Sequence, residues 1–553
     1  MKNRIYKISS VLTGILFLLS CGDDFLDTKP IATSSPETFY TTLEAADMAV
    51  TNCYSMFKVE KTWDLSTVMI MGSVASDEAE AAAGGKGDIP EYQDVDQLRH
   101  TPASPRVFSW PYGYMYRAIA ACNIAMYYFP DIPTDNADEE KFLDQKLGEV
   151  YYLRAFNFFY LSILFGGVPK VDHVLAPDEY KMGRSEIHEI FSLIKSDLNK
   201  AIQKLPTKSQ WGESNVGRAS KGAAMAQLAK VYLYESSYAK YHSGDERFNG
   251  LQQHWDSAAY WAEQVINSGE YELVGLNGER FDTWRGPNTP AYQYIFMMAS
   301  NGSREQVFEI TARNDGLGWF YSRGTALVTW CAPRRLETPD GMIDHGWGWW
   351  APSPQLLAAY DPDDPRKDLT VLDTSDLVLH NTYGWVKPNF DELYDGTGNA
   401  ANSHKYECSP EEVIVGPSNW PMGPINVKMI RIADVYLWAA EAYFEMGQTA
   451  DALPYINAVR QRARLSGEDA DALPDLTSLT HEDIEHERLI ELALEGHRFF
   501  DVIRWNKGEQ YLNHTLADGD QIVYRPGLHE FFPLPDAEIL QSGGTLQQYP
   551  GWN

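Results

Sequence analysis

Residues 145–165, QKLGEVYYLRAFNFFYLSILF, constrain the fold more than any other stretch. Leu147, Tyr151, Ala155, Phe158, Phe159, Ser162 and Phe165 recur at the spacing of one helix face. The opposite face is also largely apolar, so the predicted helix is buried all round and needs a large helical body to surround it. Gly166, Gly167 and Pro169 stop it.

Two further stretches supply that body. SKGAAMAQLAKVYLYESSYAK presents Ala223, Ala226, Ala229 and Leu233, and WDSAAYWAEQVINSGEYELV presents Ala258, Ala259, Ala262 and Val265. Small residues at helical spacing let two helices approach closely. In residues 431–464 one helix runs to Met446, Gly447 breaks it, and a second starts near Thr449. The pattern Ala440, Tyr443, Gly447, Ala450, Tyr455 is close to a tetratricopeptide unit, a helix hairpin of about 34 residues. Three such pairs at irregular spacing predict a helical-repeat scaffold rather than a tandem array. A last helix is expected over 481–505, with Leu489, Leu492, Ala493, Gly496, Phe500 and Ile503 as its apolar face. Glu491, Glu495, Arg498, Asp501 and Arg504 stand three or four apart there and are expected to pair along it.

The character changes between about 276 and 425. Gly, Pro, Asn and Asp punctuate short non-helical runs, and tryptophan is dense: Trp284, Trp319, Trp330, Trp347, Trp349, Trp350, Trp385 and Trp420. A second loop-rich stretch runs over about 71–110. Loops on a rigid scaffold are where binding residues tend to be carried. The expected fold is mainly α: a tetratricopeptide-like scaffold over 36–70, 110–275 and 426–510, with loop-rich binding regions over 71–110 and 276–425, all in one domain from 21 to 553.

Residues 1–20 carry Lys2, Arg4 and Lys7, no acids, and an apolar run from Val11 to Leu19 that ends at Ser20-Cys21. A basic head, a short apolar body and a small residue at the cut make a secretory signal peptide. The run is too short to span a bilayer, and no other stretch is long and apolar enough. Leu-Leu-Ser-Cys resembles a bacterial lipobox, which makes Cys21 the expected lipid attachment site. Asp23, Asp24 and Asp27 follow at once, resembling the export tag of surface lipoproteins. Formal charge is −31, a field that repels nucleic acid and anionic lipid. Cys53, Cys122, Cys331 and Cys408 follow no CxxC spacing, so no zinc site is expected. An extracytoplasmic location permits three disulfide pairings. The sequence does not choose among them, and buried free thiols are the default expectation.

Six blocks, in order along the chain, resemble the RagB/SusD family of outer-membrane lipoproteins. They are CGDDFLDTKP; YYLRAFNFFYLSILFGGVPKV; YDPDDPRKDLT; RIADVYLWAAEAYFEMG; ERLIELALEGHRFFDVIRW; and FFPLPDAEILQSGGTLQQYPGW. The resemblance implies a helical half that docks on a SusC-like TonB-dependent barrel transporter and an irregular half that captures a glycan at the cell surface. It implies no catalysis and no cofactor. The blocks are scaffold motifs, so the ligand residues must be read from chemistry.

A sugar ring has an apolar C–H face that an indole covers and a polar rim that carboxylates and amides bond. Trp319, Phe320 and Tyr321, then Trp347, Trp349 and Trp350, are the expected platforms. Gly316, Gly318, Gly346 and Gly348 flank them and favour loops over strands; the alternative is that they pack beneath the loops as a satellite core. Asp77 and Glu78 are expected to contact hydroxyls, or else to sit at a solvated helix end. Arg334-Arg335 would fork onto a uronate or sulfate if the glycan carried one, the alternative being an internal ion pair.

Enzyme motifs are not met. His481 and His486 are five apart, off the spacing of a zinc helix, and Asp361, Asp363 and Asp364 lack the glycine and distal glutamate of a calcium loop. The reading is thus a glycan-binding lipoprotein; the alternative is a lid for another nutrient such as peptide.

Overall fold

The computed structural model describes residues 36–55, 65–82, 87–313, 323–390, 401–415, 421–469, 471–515 and 519–552. The predicted leader and Cys21 lie outside them. Among the described residues, no helix is long and apolar enough to cross a membrane.

The body is an array of helices: α1 (Leu43–Ser55), α2 (Leu65–Val74), α3 (Trp110–Tyr128), α4 (Ala137–Phe165), α5 (Ile187–Lys204), α6 (Lys221–Tyr241), α7 (Trp255–Ile266), α8 (Ile432–Glu445), α9 (Thr449–Ser466), α10 (His481–Glu491) and α11 (Arg498–Arg504). From α3 to α9 each helix packs on the next. α4 begins at an Asn136 cap, whose side-chain oxygen accepts from the backbone N–H groups of Asp138 and Glu139. It ends at Gly166, where φ is +74°. Its second half is buried on every side, as its sequence requires. Ala223, Ala226, Ala229, Ala258 and Ala262 are fully buried where α6 meets α7. Gly447, at φ +76°, separates α8 from α9.

α7 and α8 also pack together, although the whole insertion lies between them in sequence. It therefore leaves and rejoins the array at one place. An antiparallel ribbon closes that place, Gln306–Ile310 on Val427–Arg431.

The last predicted helix is broken. α10 ends at Glu491 and α11 starts at Arg498, with Leu494 at φ +62° and Gly496 at φ +80° between them. A Cβ at Gly496 would lie 2.5 Å from the Cα of Met69, so the close approach of α2 and the left-handed turn both demand glycine. The acids and bases of this segment mostly pair across the fold instead of along one helix. Arg431 on the ribbon donates to Glu495 at 2.7 Å, to Glu305 at 3.0 Å and to Glu491 at 3.1 Å. Arg488 binds Asp434 and Asp501, both at 2.8 Å. Arg504 bonds Glu441, and that carboxylate also accepts from the Trp505 indole at 2.8 Å. Arg504–Asp501, at 2.8 Å, and His481–Glu485 are local pairs. These charges are buried and tolerated because each is opposed and hydrogen-bonded. Arg366 and Lys405 extend the network into the insertion through Glu487 and Glu495. Asp364 is held by Arg366 at 2.8 Å, a turn-making role in the Asp-Pro-Arg block.

The stretch 71–110 departs from the expected loop. It holds the last turn of α2, the strand Ala79–Ala82, a helix over Pro90–Asp96 and a π-helical turn over Pro105–Ser109, and residues 68–81 are buried. All four cysteines after Cys21 are free thiols, three buried and Cys408 half-buried.

Candidate tryptophan platform and cavity

β1 (Ala79–Ala82) belongs to the earlier stretch; the insertion's short strands include β2 (Arg280–Thr283), β3 (Gly286–Pro290), β4 (Gln306–Ile310), β5 (Arg335–Thr338), β6 (Gly341–Asp344), β7 (Trp349–Pro352), β8 (Val378–His380), β9 (Gly384–Asn389) and β10 (Val427–Arg431). β6, β5, β9 and β8 form one antiparallel sheet in that order. Its inner face has its own small core of Leu336, Leu372, Val378, Val386 and Phe390. Side chains alternate along a strand, so Val386 and Pro388 point inward and Trp385 outward, where it is 43% exposed.

The β2–β3 hairpin turns at Trp284 and Arg285. Arg285 N–H donates to the Thr283 hydroxyl at 3.1 Å, and Thr283 and Thr289 hydroxyls bond across the hairpin at 2.6 Å. This turn delivers Trp284 onto the outward face of the sheet. Its ring lies 19° from parallel to that of Trp385, with centroids 6.0 Å apart. The Arg285 guanidinium sits 4.8 Å from the Trp284 centroid and 6.0 Å from that of Trp385. Glu407 binds Arg285 and also contacts His404 Nδ1 at 2.7 Å, while His404 Nε2 is 3.5 Å from Asp376. Burial, against the pull of Asp376, lowers Arg285 to about 10, still a cation at neutral pH.

Trp284 also lines a cavity of about 230 Å³. His345, His380, Asn381, Asp344 and Glu407 supply its polar wall. Burial pushes His345 down to about 4 and lowers His380, so both rings are neutral and can donate and accept at once. The Trp284 indole N–H has no hydrogen-bond partner among the described residues. Two larger cavities, of about 520 and 880 Å³, open on the helical body. The tryptophan stack on its rim sets the insertion's cavity apart.

The residues predicted for ligand contact fall elsewhere. Trp319, Phe320 and Tyr321 lie outside the described residues. Trp349 and Trp350 are on β7, which pairs with β1, rather than on the expected loops. Trp350 is 1% exposed and packs on Tyr406, with centroids 5.4 Å apart. Trp349 is 7% exposed, against Trp330 and Tyr92. The half-buried Trp347 joins that cluster, 4.6 Å from Trp349, two residues beyond the cavity-lining His345. Asp77 is neither a solvated helix end nor open to solvent: both its oxygens accept from Arg498, at 2.7 and 2.8 Å. Glu78 is 1% exposed. Burial, reinforced by Asp77 against hydrogen bonds from Ser73 and Leu494, pushes its carboxyl up to about 8. Both acids are thus held inside the fold by the β1–β7 pairing, a long-range contact that local spacing does not announce.

Trp284 and Trp385 belonged to the tryptophan-dense run but lacked a glycine-flanked cluster to single them out. The readable signal was the alternation Trp385-Val386-Lys387-Pro388, which turns the indole away from the sheet's core.

Comparison with known proteins places the fold. A family model described as "SusD family" matches residues 357–552. A second, described as "Starch-binding associating with outer membrane", matches residues 24–233. The chain is 25% identical over 562 residues to SusD-like protein P2 of Formosa agariphila, covering 99% of each. It is 25% identical over 499 residues to the starch-binding protein SusD of Bacteroides thetaiotaomicron, covering 83% of this chain and 81% of that one. Among solved structures, a laminarin-binding SusD-like protein superposes with a TM-score of 0.71 at 24% identity, covering 93% of this chain and all of the other. At that identity the likeness establishes the tetratricopeptide-like helical fold.

Proposed function

The chain belongs to the SusD family, and from that premise we propose that it is a lipid-anchored outer-membrane protein that captures glycan and passes it to a TonB-dependent barrel transporter. The observation that carries the reading is the near-parallel Trp284–Trp385 pair on the rim of the 230 Å³ cavity. The exposed indole offers a flat apolar surface to the C–H face of a pyranose. The Asn381 amide and the neutral His345 and His380 rings stand beside it for hydroxyls. Drug-sized pockets run from about 300 Å³; a smaller cavity suits one terminal ring, with the rest of the chain lying over Trp385. Trp347 is the residue from the sequence reading that we retain as a second contact, since it is half-buried and close to the cavity wall.

The names of the relatives support the same ligand class, one being a starch-binding protein and one a laminarin-binding structure. Glu407 and Asp344 are each engaged by an arginine, which suits binding without catalysis. Apolar burial contributes roughly 25 cal/mol per Å², and ordering a flexible, hydrated oligosaccharide offsets most of it. Dissociation constants on the order of micromolar to millimolar follow. Cys21 carries the lipid, and the helical body works as a lid above the barrel mouth.

Calorimetry and affinity gels with a panel of polysaccharides test the reading on the wild type and on Trp385→Ala. Binding that the variant loses is expected. A folded protein that binds no glycan, or binds one regardless of Trp385, overturns it.

A further inference from the structure

The wall of the tryptophan-rimmed cavity is charged in one sense only. It carries two carboxylates, Asp344 and Glu407, and no lysine or arginine. Its two histidines are neutral. The guanidiniums nearby are already committed. Arg285 is bound by Glu407 and faces Asp376. Arg334 pairs with Asp88 at 2.6 Å and Arg335 lies 3.7 Å from Asp344. The fork that Arg334-Arg335 would have offered to a sugar anion meets Asp88 and Asp344 in half-exposed pairs instead.

We infer that this site selects neutral glycans and rejects chains bearing carboxylate or sulfate groups. The inference rests on the glycan-capture reading and names its substrate class. Sugar hydroxyls need donors and acceptors in close mixture, which Asn381 and the two imidazoles provide. A uronate or sulfate ester needs a forked or point cation to offset its lost hydration. Inside the cavity it would meet Asp344 and Glu407 and no lysine or arginine of the lining, Lys387 standing outside it on the outward face beside Trp385, so its own charge opposes binding there. The overall charge of −31 adds a longer-range repulsion that salt screens within about 10 Å at 0.1 M.

The test uses the mature lipid-free chain and two sets of probes at 20 and 300 mM salt. Starch, laminarin and mannan are the neutral set; polygalacturonate, alginate and carrageenan are the acidic set. Each neutral glycan that binds is offered again after oxidation of its primary hydroxymethyl groups to carboxylates. The expected result is binding confined to the neutral set and lost at least tenfold on oxidation. That loss should shrink at high salt and in Asp344→Asn, an exposed position whose exchange leaves the core untouched. Trp385-dependent binding of an acidic glycan overturns the inference and leaves glycan capture standing. So does an oxidation loss indifferent to both salt and Asp344→Asn, because removal of the hydroxymethyl group would then be its cause. If no probe of either set binds, glycan capture and the inference fall together.

Discussion

The Trp284 and Trp385 rings come from a hairpin turn and a sheet strand about a hundred residues apart, yet lie within 19° of parallel. Neither element places the pair alone. Replacing Trp385 by alanine removes the exposed half of the platform without opening the core, since Val386 and Pro388 on the other face are untouched. Glycan affinity should fall about tenfold or more, a loss of about 1.4 kcal/mol or greater, while the thermal midpoint stays within a degree or two. Calorimetric titration paired with a melting curve measures both.

Arg285 is the strut of that platform. It lies over both rings and is bound by Glu407. Arg285→Met keeps the length and loses the charge, leaving Glu407 with His404 alone. Weaker glycan binding is expected, with destabilisation of about 1–2 kcal/mol as the carboxylate loses a charged hydrogen bond. Rescue of affinity by Arg285→Lys would be partial at most, because an ammonium does not stack on an indole as a guanidinium does.

The scaffold was legible in the sequence because its signals are local. Alanines at helical spacing announced the close packing of α6 on α7, and Gly447 announced the turn between α8 and α9. The break within 481–505 was less so. Gly496 is visible as a residue, but the demand for it comes from Met69, more than four hundred positions earlier. The Glu and Arg residues of that segment had helix-compatible spacing, and their true partners on α8 and the β10 ribbon are invisible to spacing. The placement of the tryptophans was hidden for the same reason. Glycine-flanked tryptophans looked like loop platforms, and a strand pairing between 79–82 and 349–352 buried two of them.

Two of the quoted scaffold blocks, RIADVYLWAAEAYFEMG and ERLIELALEGHRFFDVIRW, share one ion network, and this has an energetic consequence. Glu441 accepts from Arg504 and from the Trp505 indole, and all three are buried. Glu441→Ala leaves a guanidinium and an indole N–H buried with lost acceptors. Destabilisation of about 3–5 kcal/mol is expected, read from the urea midpoint. Glu441→Gln, which keeps the Trp505 bond and loses the charge, should fall between the two.

Cys21 is the chemical basis of the proposed tether. Cys21→Ala should abolish incorporation of labelled palmitate in cells and release the protein from the membrane fraction. Glycan affinity of the purified soluble chain should be unchanged, since the platform lies in the insertion. Continued labelling of the variant would place the lipid elsewhere.

Glu78 gives a pH signature that isolates the buried β1–β7 junction. Its folded carboxyl is pushed up to about 8 by burial and by Asp77, against an ordinary value near 4.5 in the unfolded chain. Below 4.5 both states hold the proton, and Glu78 contributes nothing to the pH dependence. Between 4.5 and 8 the unfolded chain releases its proton while the folded chain keeps it, so stability falls as pH rises. Glu78→Gln has the same shape and no proton to lose. Its stability relative to the wild type should therefore be constant below pH 4.5, climb steadily, and level off above pH 8. The total gain should be on the order of a few kcal/mol, at about 1.4 kcal/mol per pH unit. Urea denaturation of both proteins at half-unit steps from pH 4 to 9 measures it. A difference that stays flat across that range would mean that Glu78 is ionised in the fold, and that the junction holds a charge rather than a neutral acid.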